Sequence, residues 1–177
     1  METKIRGPIT IEGSINVGDG FTGFDPEDIA FCATEMFSAA TMLTTNNFPR
    51  LSMPEDVTTS AFVGGFNFPD WYETIDVHIG WTNEGAGGQT VIFAWNLRKV
   101  LIGQTMAAGT LIGTGLATPA PPANGELGLT QLDPNVAIGD PGGLGYVLGF
   151  EIARIGGSDT LQNPIGLVAV GFANLGA

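Results

Sequence analysis

The 177-residue chain has one cysteine and one histidine, and its only lysines are Lys4 and Lys99. A single Cys excludes an intrachain disulfide, and a single His beside it excludes the Cys₄, Cys₂His₂ and His₃ zinc sets. Positive charge is equally scarce. Six Lys and Arg face 18 Asp and Glu, a net charge of −12 that repels phosphate backbones, so nucleic acid is not an expected partner. Charged residues make up 14% of the chain, against an ordinary share of about 25%, while mean hydropathy is +0.23. Apolar surface is therefore expected to need a partner. The first residues, Met1 to Pro8, carry Glu2, Lys4 and Arg6 and lack the continuous apolar stretch of a signal peptide, which leads to an expectation of assembly in a reducing cytoplasm. Val100 to Gly125 has no charge at all, yet Gln104, Thr105, Thr110, Thr114, Pro119, Pro121 and Pro122 argue against a membrane span.

What is present is glycine, 27 residues, and proline, 11, interleaved with short runs of period-two apolar alternation. That combination favours an all-β chain over long helices. Ile9, Ile11, Ile15 and Val17 fall on odd positions, so the first residues read as extended chain, either an arm or the first strand. The following Gly18-Asp19-Gly20-Phe21-Thr22-Gly23 matches a dinucleotide-loop pattern by letter. The carboxylates of Asp25, Glu27 and Asp28 stand where a pyrophosphate would sit, and a glycine turn is the reading adopted. From Asp25 to Phe37 a short helix started by Pro26 competes with a strand over Ile29–Phe37. Asn46-Asn47-Phe48-Pro49 and Ser52-Met53-Pro54 make Thr41–Thr59 read as a long surface connection.

The clearest alternation is Ile75-x-Val77-x-Ile79-x-Trp81, followed by the turn Glu84 to Gly88 and by Val91-x-Phe93-x-Trp95-x-Leu97, which together predict a hairpin. Leu111-Ile112, the proline-rich Ala117–Glu126 and Asp133-Pro134-Asn135 read as short pieces. Tyr146–Ile155, the turn Gly156-Gly157-Ser158-Asp159 and Ile165–Phe172 predict two closing strands. Many short strands with glycine turns indicate a jelly roll or two-sheet antiparallel sandwich. The predicted organisation is an extended N-terminal arm, residues 1–24, and one β-sandwich domain, residues 25–177.

Catalytic chemistry is poorly provided for. His78 stands at an outward strand position with no G-x-S-x-G elbow in the chain, and Cys32, between Phe31 and Ala33, reads as a buried structural thiol. Neither lysine follows a phosphate loop. Asp19, Asp25, Glu27 and Asp28 form an acidic turn without EF-hand spacing, read as a solvated turn in preference to a calcium site. The expectation is a protein that is not an enzyme and holds no cofactor.

Phe66-x-Phe68-Pro69-Asp70, the two alternating runs at 75–81 and 91–97, and Phe150-x-Ile152-x-Arg154 with Asp159-Thr160 together resemble the jelly-roll structural proteins of tailed-bacteriophage virions. The resemblance covers roughly residues 66–172. It implies a homotrimeric capsid cement, or decoration, protein on the virion surface that bridges neighbouring major capsid protein subunits. Its alternative is a tail or fibre module that binds a host receptor or carbohydrate. If the first residues are an arm and not the first strand, Ile9, Ile11, Ile15, Val17, Phe21 and Phe24 are expected to contact a capsid or sibling subunit, and no membrane is involved.

Overall fold

Period-two alternation builds eleven strands in the structure, a computed structural model that describes residues 29–45, 47–68, 73–85, 89–139 and 145–174. The predicted arm, with Ile9, Ile11, Ile15, Val17, Phe21 and Phe24, and the acidic turn of Asp19, Asp25, Glu27 and Asp28 lie outside the described residues. In chain order the strands are β1 (Ile29–Cys32), β2 (Phe37–Ser38), β3 (Thr41–Thr45), β4 (Phe48–Met53), β5 (Thr58–Phe66) and β6 (Thr74–Asn83). They continue with β7 (Phe93–Leu101), β8 (Thr110–Ala117), β9 (Leu127–Ala137), β10 (Tyr146–Ile155) and β11 (Ile165–Asn174). The described residues include two short 3-10 turns, Ala33–Glu35 and Met106–Ala108, and no α-helix.

Sheet I has the order β3-β4-β11-β6-β9, with β1 also paired to β11; sheet II has the order β2-β5-β10-β7-β8. Every strand pair is antiparallel. The fold is thus an all-β two-sheet sandwich, as the alternation predicts. The inward positions of β6 (Ile75, Val77, Ile79, Trp81) and of β7 (Phe93, Trp95, Leu97) are buried, as are those of β10 (Leu148, Phe150, Ile152) and β11 (Ile165, Leu167, Val170, Phe172). Each such side chain contributes about 1.5–3 kcal/mol relative to exposure. Phe172 sits at the centre of an aromatic cluster, its ring centroid 5.2 Å from Phe150, 5.3 Å from Phe66 and 5.5 Å from Phe68.

The predicted hairpin is not one. β6 pairs with β11 and β9 in sheet I, whereas β7 pairs with β10 and β8 in sheet II, so the two strands belong to opposite layers. The two strands meet through their apolar faces: Trp81 and Phe93 stand edge-to-face across the core at 5.3 Å. Thr41–Thr59 is likewise no connection, since it contains β3, β4 and the start of β5. Pro49 is tolerated there because β4 pairs with β11 only from Leu51 to Met53, so the proline lies past that ladder. Ile29–Phe37 is neither a helix nor one strand: β1 belongs to sheet I, β2 to sheet II, and the 3-10 turn carries the chain between them. Asp133-Pro134-Asn135 does not break the chain either. β9 runs through it as an edge strand with a bulge, its register jumping between Val77↔Asp133 and Ile75↔Val136, and Asn135 takes a positive φ of 60°.

Trp95 fits only because β8 opposes it with glycine. A β-carbon on Gly113 would lie 2.8 Å from the indole and 2.9 Å from Val136, and one on Gly115 would lie 2.7 Å from Trp95 Nε1. Gly113→Val is therefore expected to cost about 1–3 kcal/mol of stability by overpacking. Gly64→Ala, where a β-carbon meets nothing within 4 Å, should stay within about 0.5 kcal/mol of wild type in denaturant unfolding. Equal losses at both sites would remove the packing explanation.

Candidate functional site

The outward face of sheet I is a trough because its central strand presents almost no side chain. The outward positions of β11 are Gly166, Ala169 and Gly171, with Val168 at the bulge the larger side chain that reaches the surface, and Gly80 of β6 lies beside Ala169. Gly166 has a specific neighbour: a β-carbon there would collide with the Arg50 stem and come within 2.6 Å of Thr82 Oγ1. Its absence lets Arg50 lie across β11 and form a salt bridge with Glu84. One wall of the trough is β4, with exposed Phe48 and largely buried Arg50; the other is β9, with half-exposed Leu127 and Leu129.

At the loop end the trough deepens into a groove of about 500 Å³ lined by Phe48, Arg50, Thr82, Glu84, Asn124 and Leu127. Asn83 holds this end together. It is fully buried, its Nδ2 donates to Pro122 O at 3.2 Å, and its Oδ1 accepts from Gly85 N at 3.1 Å. Its backbone carbonyl also accepts from Gly125 N at 2.8 Å, and residues 83 and 124 form a parallel bridge. The Ala117–Glu126 loop is thereby tied to the end of β6, with Asn124 at the groove. The groove offers a flat phenyl ring and an aliphatic wall beside a guanidinium, a carboxylate, a hydroxyl and an amide. Such a mixture suits a ligand with apolar faces and hydroxyl edges.

Farther along the same face the polar groups are already engaged with one another. Asp76 accepts from Gln131 Nε2 at 2.6 Å and from Asn135 N at 3.0 Å, with His78 Nε2 3.9 Å away. His78 lies at an outward strand position as expected but its side chain is only 18% exposed. Cys32 is exposed, not buried: it pairs with Ala169 and so shares the outward face, its Sγ 2.9 Å from Thr34 Oγ1. Cys32 and His78 belong to β1 and β6, with β11 between them, roughly 10 Å of sheet. They do not form a nucleophile–base pair. Among the described residues no three His, Cys, Asp or Glu side chains are grouped to hold a metal ion. No described helix is long and apolar enough to cross a membrane.

Of the sequence-predicted features, the 117–126 loop and Glu84 of the predicted turn reach the groove. Phe48 and Arg50 of β4 and Thr82 of β6 are not expected there from sequence, because β4 and β6 are brought together only by β11 between them. The alternation of Phe48, Arg50 and Ser52 against Leu51 and Met53 was the available signal, masked by the flanking prolines.

No protein-family model and no curated protein sequence matches the chain. Solved structures do. The C-terminal CBM6 of LamC, a marine laminarinase from Zobellia galactanivorans, is similar at 12% identity and a TM-score of 0.52, over 83% of this chain and 99% of that one. Arthrobacter globiformis T6 isomalto-dextranase, complexed with panose, is similar at 10% identity and a TM-score of 0.50, over 82% of this chain but 23% of that one. A chain from infectious bursal disease virus Gx strain follows at a TM-score of 0.43 and 12% identity, over 82% of this chain and 30% of that one, too distant a likeness to carry an argument. At these identities the likeness concerns the fold: the chain is a β-sandwich of the jelly-roll kind shared by carbohydrate-binding modules.

Proposed function

We propose that the protein is a non-catalytic recognition module that binds a saccharide chain in the groove between Phe48 and Leu127. The observation that carries this reading is the composition of that groove, where an exposed aromatic ring stands beside the Arg50–Glu84 pair, Thr82 and Asn124. A pyranose has apolar C–H faces and a rim of hydroxyls. Phe48 and Leu127 receive the faces, while Glu84, Arg50 and Asn124 exchange hydrogen bonds with the rim, the charged ones being the stronger. The trough continues past the groove over Ala169 and Gly171, which suits an interior stretch of a polymer better than a single sugar. The shared fold with a laminarinase CBM6 and with part of an enzyme complexed with panose supports the same reading. On a phage particle this is the work of a tail or fibre module.

Titration calorimetry against laminarin, panose and longer isomalto-oligosaccharides tests the proposal. Wild type is expected to bind at least one, and Phe48→Ala or Glu84→Gln to weaken that binding by about tenfold or more, equivalent to about 1.4 kcal/mol. The bound polymer should keep its length on prolonged incubation. Failure to bind any member of a wider glycan panel, or unchanged affinity in both variants, would sink the reading.

A second reading, a homotrimeric cement protein that bridges major capsid protein subunits on a phage virion, draws on the apolar side chains left exposed on sheet II, such as Phe37 and Phe62. Co-sedimentation with capsids lacking the protein would test it.

A further inference from the structure

We infer that the outward face of sheet II is a self-association surface whose occupant is a second copy of this chain. The proposal is independent of the saccharide reading, because the groove lies on the opposite sheet. Phe37 and Phe62 are direct cross-strand partners on β2 and β5 and are 78% and 45% exposed. On the other side of the sheet stand Val100 and the 79% exposed Met106. Between them Gly64 and Gly149 are paired across β5 and β10, leaving a hollow of about 480 Å³.

Charge selects the occupant. Copies of a chain with a net charge of −12 repel one another over most approaches. On this face the described strands carry an exposed cation, Arg98, and an anion, Glu151, so two copies can meet here with charges of opposite sign. Arg98 is opposite Gly149, and Glu151 is two residues farther along the same strand, so the two charges lie diagonally across the hollow. Face-to-face packing about a two-fold axis lying between the sheets sets Arg98 of each copy over Glu151 of the other. The same operation carries Phe62 of each copy onto Val100 of the other, and every contact is then made twice, as an isologous interface requires. Glu151 is held ready for this position: Ser60 Oγ donates to one of its oxygens at 2.9 Å and Asn96 Nδ2 to the other at 3.2 Å.

Analytical ultracentrifugation of the full chain from micromolar to millimolar concentration decides the matter. Wild type is expected at twice the 18.4 kDa of one chain. Phe62→Asp and Arg98→Glu should each weaken association by about tenfold or more, while thermal melting at low concentration confirms that both fold. Arg98→Glu combined with Glu151→Arg should recover association. A monomer throughout the range overturns the proposal, as does association untouched by Phe62→Asp or unrecovered by the charge exchange. A monomer whose Phe62→Asp variant fails to bind capsids gives the face to a capsid subunit instead.

Discussion

Arg154→Met is expected to lower the free energy of unfolding by about 3–5 kcal/mol, the usual result of removing one partner from a buried ion pair. Arg154 is completely buried, and the Asp159 side chain is 1% exposed. The guanidinium donates Nε to Asp159 Oδ2 at 2.8 Å and Nη2 to Oδ1 at 3.1 Å, a two-pronged fit that lysine cannot reproduce. Its remaining N–H groups reach Leu161 O at 2.6 Å, Asn163 O at 2.8 Å and Met53 O at 3.0 Å. One side chain thus ties the 156–164 loop to its own strand and to the end of β4. Methionine fills much of the volume but strands the Asp159 carboxylate and three carbonyls. Denaturant unfolding of Arg154→Met, Asp159→Leu and the double variant measures the coupling, and the double variant should regain part of the loss. A single-variant loss below 1 kcal/mol would show that water replaces these bonds freely.

The second large effect is expected at Trp95→Ala, about 3–5 kcal/mol from lost burial and the cavity left behind. The ring fills the space beneath glycines 113 and 115 and is stacked on Phe150 at 6.2 Å. Its Nε1 is buried without a hydrogen-bond partner, whereas Trp81 Nε1 donates to Thr130 Oγ1 at 2.9 Å. Replacing each indole by phenylalanine therefore has different consequences. Trp81→Phe leaves the Thr130 hydroxyl without its donor, while Trp95→Phe removes a polar group that was unsatisfied already. Trp95→Phe should be the milder change by about 1 kcal/mol. The reverse order in calorimetric melting would refute this account of the two rings.

The sequence made single strands legible and their neighbours illegible. Tyr146–Ile155 was bounded to the residue, and Ile165–Phe172 differs from β11 only at its end. Alternation reports which side of a strand is apolar, and that information is complete within the strand. It does not report the strand alongside. Ile75–Trp81 and Val91–Leu97 present apolar faces to one core whether they lie side by side or in opposite layers, so a hairpin and a layer crossing read identically. Local proline had the opposite effect at Phe48–Met53, hiding a real strand because its tolerance depended on where the ladder to β11 stops. The groove was invisible for a related reason. Its residues are brought together by β4, β6 and the loop after β8, elements whose adjacency is a property of the sheet order. Arg154 and Asp159-Thr160 were visible as unusual placements. The structure gives them a structural task, with Thr160 Oγ1 bonded to Thr90 N at 2.9 Å across the neighbouring loop.

The order in which the strands are synthesised sets when the molecule can acquire its shape. β10 and β11 come last among the described strands, yet each is central to its sheet: β11 pairs with β1, β4 and β6, and β10 with β5 and β7. Strands emerging earlier wait with open edges for partners not yet made. At roughly 5–20 residues per second that interval lasts seconds, and closing such distant pairings is intrinsically slow. During it Phe31 and Phe66 have no Phe172 to pack against. Nascent chains are accordingly the stage at which chaperone dependence and aggregation are decided. A ribosome stalled before residue 146 would hold a protease-sensitive polypeptide with neither sheet complete.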